Sequence, residues 1–175
     1  MSGSGCVRSA GAAVYTRTSD GGLLRQPTEA TERQLIQRFF EPYAQSMEEL
    51  VAERLKDAGR AVIIDVHSYP SSPMAYELRA SQTRPQLCLG VDAFHSPAAL
   101  VEAARRAFDG RLEKLGVNQP YAGAYVPLRW FGKEPRVEAI MLEVRRDAYM
   151  DEATGAVISL GQVTAGLVSL IDSVA

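Results

Sequence analysis

Apolar side chains recur along this chain with more than one period. Between residues 29 and 58, Leu35, Phe39, Tyr43, Met47, Leu50, Val51 and Leu55 follow one another mostly at steps of three or four, which predicts an amphipathic helix. Pro42 lies inside that pattern and predicts a kink or a split, because proline lacks the amide hydrogen that a helix interior uses. Gly59 stands where a helix ending in a left-handed turn would place it. Directly beyond it, Ala61-Val62-Ile63-Ile64-Asp65-Val66 is almost continuously apolar. Such a run predicts a strand covered on both faces and places it at the centre of a sheet.

The remaining segments complete the pattern. Residues 12–16 read as a short strand, and Ser19-Asp20-Gly21-Gly22 as the turn after it. Residues 87–91 form a second apolar strand, and Ser96-Pro97 opens a helix with Leu100, Ala104, Phe108 and Leu112 on one face. Residues 118–123 read as a turn-rich loop, 137–144 as another inner strand, and 157–174 as a closing helix. Strands alternating with helices of this length predict an α/β fold, with a mostly parallel or mixed central sheet flanked by helices. Strand order is not readable from such patterns.

The 175 residues are 46% hydrophobic, enough for one substantial core, so residues 12–175 are read as one domain behind a flexible leader at 1–11. Nineteen Lys and Arg against 21 Asp and Glu leave a formal charge of -2, which supplies no basic field for nucleic acid or an anionic membrane. No apolar run is long enough to cross a bilayer, and the first residues lack the regions of a secretory signal, so the cytoplasm is the expected location. Cys6 and Cys88 form no Cys-x-x-Cys pair, which signals neither a zinc ribbon nor a redox centre. Cys88, between Leu87 and Leu89, reads as a small buried residue.

Two positions carry candidate chemistry. His67 follows the strand that begins at Ala61, at the carboxyl end where open α/β sheets keep their sites, and Asp65 points to the same face as an orienting partner or a polar strand residue. Glu143 lies inside the apolar stretch Ile140-Met141-Leu142-Glu143-Val144. A carboxylate is costly there unless it is paired, for instance with Arg145 or Arg146, or used as a general base. The acidic residues Asp147, Asp151 and Glu152 read as caps or solvated helix-entry residues.

Taken together, Ile64-Asp65-Val66-His67-Ser68-Tyr69-Pro70-Ser71, Asn118-Gln119-Pro120-Tyr121-Ala122-Gly123 and Leu142-Glu143-Val144-Arg145-Arg146-Asp147-Ala148-Tyr149-Met150-Asp151-Glu152 closely resemble the N-formylglutamate amidohydrolase family in content, order and spacing. That family is similar in fold to the zinc carboxypeptidases, and the resemblance runs from about Ala12 onward. It implies a zinc-dependent hydrolase that splits N-formylglutamate, or a similar N-acyl amino acid, into an acid and the amino acid. By the resemblance His67 is a metal ligand and Glu143 the catalytic general base, with the metal polarising the carbonyl and activating water. Arg146 matches the family's motif arginine, suited to a substrate carboxylate because its planar fork binds two oxygens. Asn118, Tyr121 and Gly123 belong to the loop that lines the pocket, and Tyr149 supports it from behind.

One departure stands out. The resemblance implies an upstream ligand pair, yet residues 1–66 contain no histidine, and His95 falls where the family pattern leads to no ligand. Three readings follow: a chain lacking its N-terminal part, a metal-free relative that binds a carboxylate without hydrolysing anything, or a site completed by a partner chain or a second copy. The implied partner is a small N-acyl amino acid, with neither nucleic acid nor membrane.

Overall fold

The computed structural model describes residues 14–18, 20–74 and 83–175. The predicted leader and the start of the predicted strand at 12–16 lie outside them, and residues 14–16 are not a strand. An isolated antiparallel bridge joins Arg17 to Leu23 instead. The predicted long helix starts at Glu29, where the Thr28 side chain caps it by accepting from Thr31 N. It runs as α1 (Glu29–Leu35), a π-helical turn over Ile36–Phe40, and α2 (Glu41–Ala58). The split expected at Pro42 is therefore a wide turn just before it. Pro42 sits in the first turn of α2, where a missing amide hydrogen costs least. Gly59 closes α2 at φ 73°, with its amide donating to Leu55 O at 3.1 Å.

Four strands form a mixed sheet: β1 (Ala61–Tyr69), β2 (Leu87–Gly90), β3 (Leu115–Val117) and β4 (Val137–Arg145). Their spatial order is β1-β4-β2-β3, with β1 parallel to β4, β2 antiparallel to β4, and β3 parallel to β2. This corrects one expectation. β1 lies at the edge, among the described residues, and β4 takes the inner place. The apolar run of β1 is only partly covered: Val62 and Ile64 pack toward one core cluster and Ile63 toward the other, while Val66 stays half exposed. The helices α3 (Ala98–Phe108) and α4 (Gly161–Val174) complete the chain, α4 starting later than the predicted 157 and α3 ending before Leu112. β3 was not predicted, since three residues are too few to show a period.

Side-chain alternation divides the sheet into two faces. On one, Leu87, Leu89, Ile140, Leu142 and Val144 pack with Leu100, Ala104, Phe108, Val163 and Leu170 of α3 and α4. Gly166 lets α4 approach the Phe108 ring, which a Cβ at that position would overlap. On the other, Ala61, Val137 and Ala139 pack with Val51 of α2 and with Ala124, Val126 and Trp130 from the connection between β3 and β4. By the strand period of two, Asp65, His67, Tyr69, Glu143, Arg145, Cys88 and Gly90 all belong to this second face. No helix among the described residues is long and apolar enough to cross a membrane.

Candidate active site

The register of the sheet sets His67 of β1 opposite Glu143 of β4, and Glu143 opposite Cys88 of β2. Three residues far apart in sequence thus form a row across one face, at the carboxyl ends of β1 and β4. One step along, Asp65 faces Met141, and Met141 faces Gly90. Asp65 and His67 share a face because they are two residues apart on one strand, and His67 Nε2 lies 2.9 Å from Asp65 Oδ1. The imidazole stays about half exposed. Glu143 is more enclosed, and its Oε2 is shielded from solvent.

The loop after β3 lies against the β2 end of this row. Asn118 takes a left-handed conformation at φ 56°, one that asparagine tolerates better than most residues, and the Gln119–Pro120 peptide bond is cis. Asn118 Oδ1 accepts from Val91 N at 2.8 Å and from Gly123 N at 3.4 Å, so the side chain closes the loop on itself and ties it to the end of β2. The sheet beneath is kept low. The Cys88 thiol donates to Tyr121 O at 3.2 Å, and a Cβ on Gly90 would overlap Gly123 O and Met141 Cε. A Cβ on Gly116 of β3 would stand 2.8 Å from Pro85 Cγ. Small residues at 88, 90 and 116 are what allow the loop backbone to lie against the strands.

Aromatic and cationic groups crowd the far end of the row. Tyr69 meets Tyr121 edge to face at 5.4 Å between ring centres, and its hydroxyl donates to Pro85 O. Arg84 lies over the Tyr69 ring at 4.9 Å and donates to Pro70 O. Arg145 pairs through Nε with Asp147 Oδ1 at 2.7 Å. Burial pushes the Cys88 thiol above its ordinary value, and the nearby Glu143 carboxylate adds to the rise. The Tyr69 phenol is raised far more, again chiefly by burial. Tyr125 is also raised by burial, with the carboxylates of Glu48 and Asp65 among the further causes.

The predicted site residues therefore do not all meet at one place. His67, Glu143, Tyr121 and Gly123 come together on one face, while Asn118 shapes the loop. Arg146 follows β4 in a short 3-10 turn and donates from Nε to Ser68 Oγ at 3.3 Å, on the strand position between His67 and Tyr69 that alternates to the other face. Tyr149 packs against the α3–α4 core, on the face of the sheet away from His67 and Glu143. Two neighbours of the row were not among the predicted site residues: Arg145, which shares the Glu143 face by alternation, and Tyr125. The strand period pointed to Arg145, and Tyr125 closes the turn-rich stretch 118–125, whose proline, glycine and two tyrosines are a generic signal for a loop that could clasp a substrate. His95 is no part of the site. It is fully buried, and both ring nitrogens are taken by backbone, Nδ1 by Val137 O at 2.7 Å and Nε2 by Gly132 N at 2.8 Å.

Zinc coordination calls for three protein ligands at a catalytic centre. Among the described residues no three His, Cys, Asp or Glu side chains gather to hold a metal ion. The donor set around His67 thus does not fit a zinc centre by itself.

The model of the N-formylglutamate amidohydrolase family matches residues 2–150 of the chain. The fold is similar to the crystal structure of an N-formylglutamate amidohydrolase from Ralstonia eutropha, at TM-score 0.72 and 24% identity over 90% of this chain. It is also similar to a gene product of Agrobacterium tumefaciens, at TM-score 0.59 and 17% identity over 91% of this chain. The chain spans 60% and 61% of those two structures. No curated protein matches it.

Proposed function

Because the chain belongs to the N-formylglutamate amidohydrolase family, we propose that it is a hydrolase of linear amides, acting on N-formylglutamate or a similar N-acyl amino acid. The observation that carries this reading is the pairing of His67 with Glu143 across adjacent strands, under a loop seated on the same face. Glu143 is the general base: its enclosed carboxylate takes a proton from a water molecule, and the resulting hydroxide attacks the acyl carbon. The same proton then passes to the amide nitrogen as the carbon–nitrogen bond breaks, releasing the acid, formate for an N-formyl substrate, and the free amino acid. His67 borders the reacting centre from β1. The resemblance gives the substrate carboxylate to Arg146, whose Nε is turned to Ser68 on the other face; Arg145 lies on the Glu143 face, and in either a guanidinium fork matches two carboxylate oxygens. Zinc at His67 would need further donors from outside the described residues or from a partner chain.

Formate release from N-formyl-L-glutamate by purified protein, with and without added zinc, tests the proposal. Glu143→Gln is expected to lower the rate about 10²- to 10⁴-fold while the protein stays folded, the range for a general base. No release in any metal condition from folded protein overturns the hydrolase reading. Retained binding of the substrate in that case would identify a carboxylate-binding relative.

A further inference from the structure

His67 and His95 are the chain's two histidines, and their neighbours demand opposite protonation patterns. At His95 the Gly132 amide, which donates only, sits 2.8 Å from Nε2, while the Val137 carbonyl, which accepts only, sits 2.7 Å from Nδ1. A neutral His95 must carry its proton on Nδ1. At His67 the arrangement is reversed. Nε2 lies 2.9 Å from Asp65 Oδ1, a carboxylate oxygen that accepts, so Nε2 carries the proton and Nδ1 keeps its lone pair. Asp65 is less exposed than the ring it faces, with 27% of its side chain accessible against 49% for His67.

We infer that Asp65 is a positioning residue, which fixes the tautomer of His67 and so leaves Nδ1, and not Nε2, as the nitrogen with a free lone pair toward the site. A carboxylate behind a functional imidazole orients the ring and fixes its tautomer. The use made of Nδ1 rests on the proposed hydrolase function, but the tautomer does not. It follows from the Asp65–His67 geometry alone.

Long-range ¹H–¹⁵N correlation spectra of the histidine rings test this, recorded without substrate or metal at about pH 9, above the ordinary imidazole range. The wild-type protein is expected to show His67 with a pyrrole-like Nε2 and a pyridine-like Nδ1, and His95 with the reverse. In Asp65→Ala both His67 nitrogens should move toward the averaged shifts of a ring exchanging between tautomers, while the His95 pattern, an internal reporter of the fold, stays fixed. Asp65→Asn, closer in size and offering both a donor and an acceptor, should move them in the same direction. A pyridine-like Nε2 on His67 in the wild type, or His67 shifts unchanged in a folded variant, overturns the inference. Absence of hydrolysis leaves these spectra untouched, so the two proposals fail separately.

Discussion

Gly90→Ala tests whether the 118–123 loop is held where the sheet is lowest. Gly90 is not among the glycines with positive φ, so alanine can adopt its backbone without conformational strain. The conflict is steric: the new methyl group would overlap the Gly123 carbonyl oxygen and the end of the Met141 side chain. Met141 can rotate away, since its terminal methyl group is on a flexible chain. The Gly123 oxygen belongs to the backbone of a loop fixed by Asn118 Oδ1 and by the Cys88–Tyr121 contact, so it moves only if the loop lifts. Forcing an extra carbon into such a site costs about 1–3 kcal/mol, and the reduced freedom of the unfolded chain offsets about 0.4–1 kcal/mol of that. The net is a loss of about 1–2 kcal/mol, or a Tm lower by about 2–8 °C for a chain of this size. Urea and thermal unfolding followed by fluorescence of Trp130, the single tryptophan, would measure it. Trp130 packs in the core beside Ala124 and Val126, just beyond the loop, so it reports on the affected side of the sheet. A variant as stable as the wild type, or more so, would refute the seating of the loop on β2.

His95→Leu removes the partners of Gly132 N and Val137 O inside the protein. With about 1–3 kcal/mol for each buried group left without a hydrogen bond, it should lower unfolding stability by about 2–6 kcal/mol in urea titrations, without a specific effect on catalysis. Raising the pH should also destabilise the protein. Cys88 and Tyr69 both hold their protons more tightly in the folded state than their ordinary values of 9.0 and 10.0. The unfolded chain therefore loses those protons first, and stability falls as pH climbs through that range. The urea midpoint at about pH 10 should lie below that at about pH 8, and Cys88→Ala should remove part of the difference.

Local physics made much of this chain legible before its fold. The helix over 29–58 shows in the spacing of its apolar residues, its end in Gly59, and the start of α3 in Ser96-Pro97, because caps and periods depend on neighbours within a turn. His67 at a strand end and Glu143 in an apolar run stood out by position, and three motifs in order led to the family, which implied their roles. Other features depend on pairing between distant segments, and there the sequence is silent. The apolar run 61–66 predicts a strand, but only its hydrogen bonds decide that it lies at the edge, beside β4 and only partly covered. The same register brings His67 opposite Glu143 and Cys88, and no local pattern encodes an alignment across so much chain. Arg145 and Arg146 are adjacent and alike in sequence, yet the strand's alternation and the turn that follows part them, one beside Tyr69 and Asp147, the other toward Ser68. His95 looked like a spare imidazole. The tertiary structure buries it between two backbone groups whose donor and acceptor roles are set by contacts that form only when the chain has closed around them.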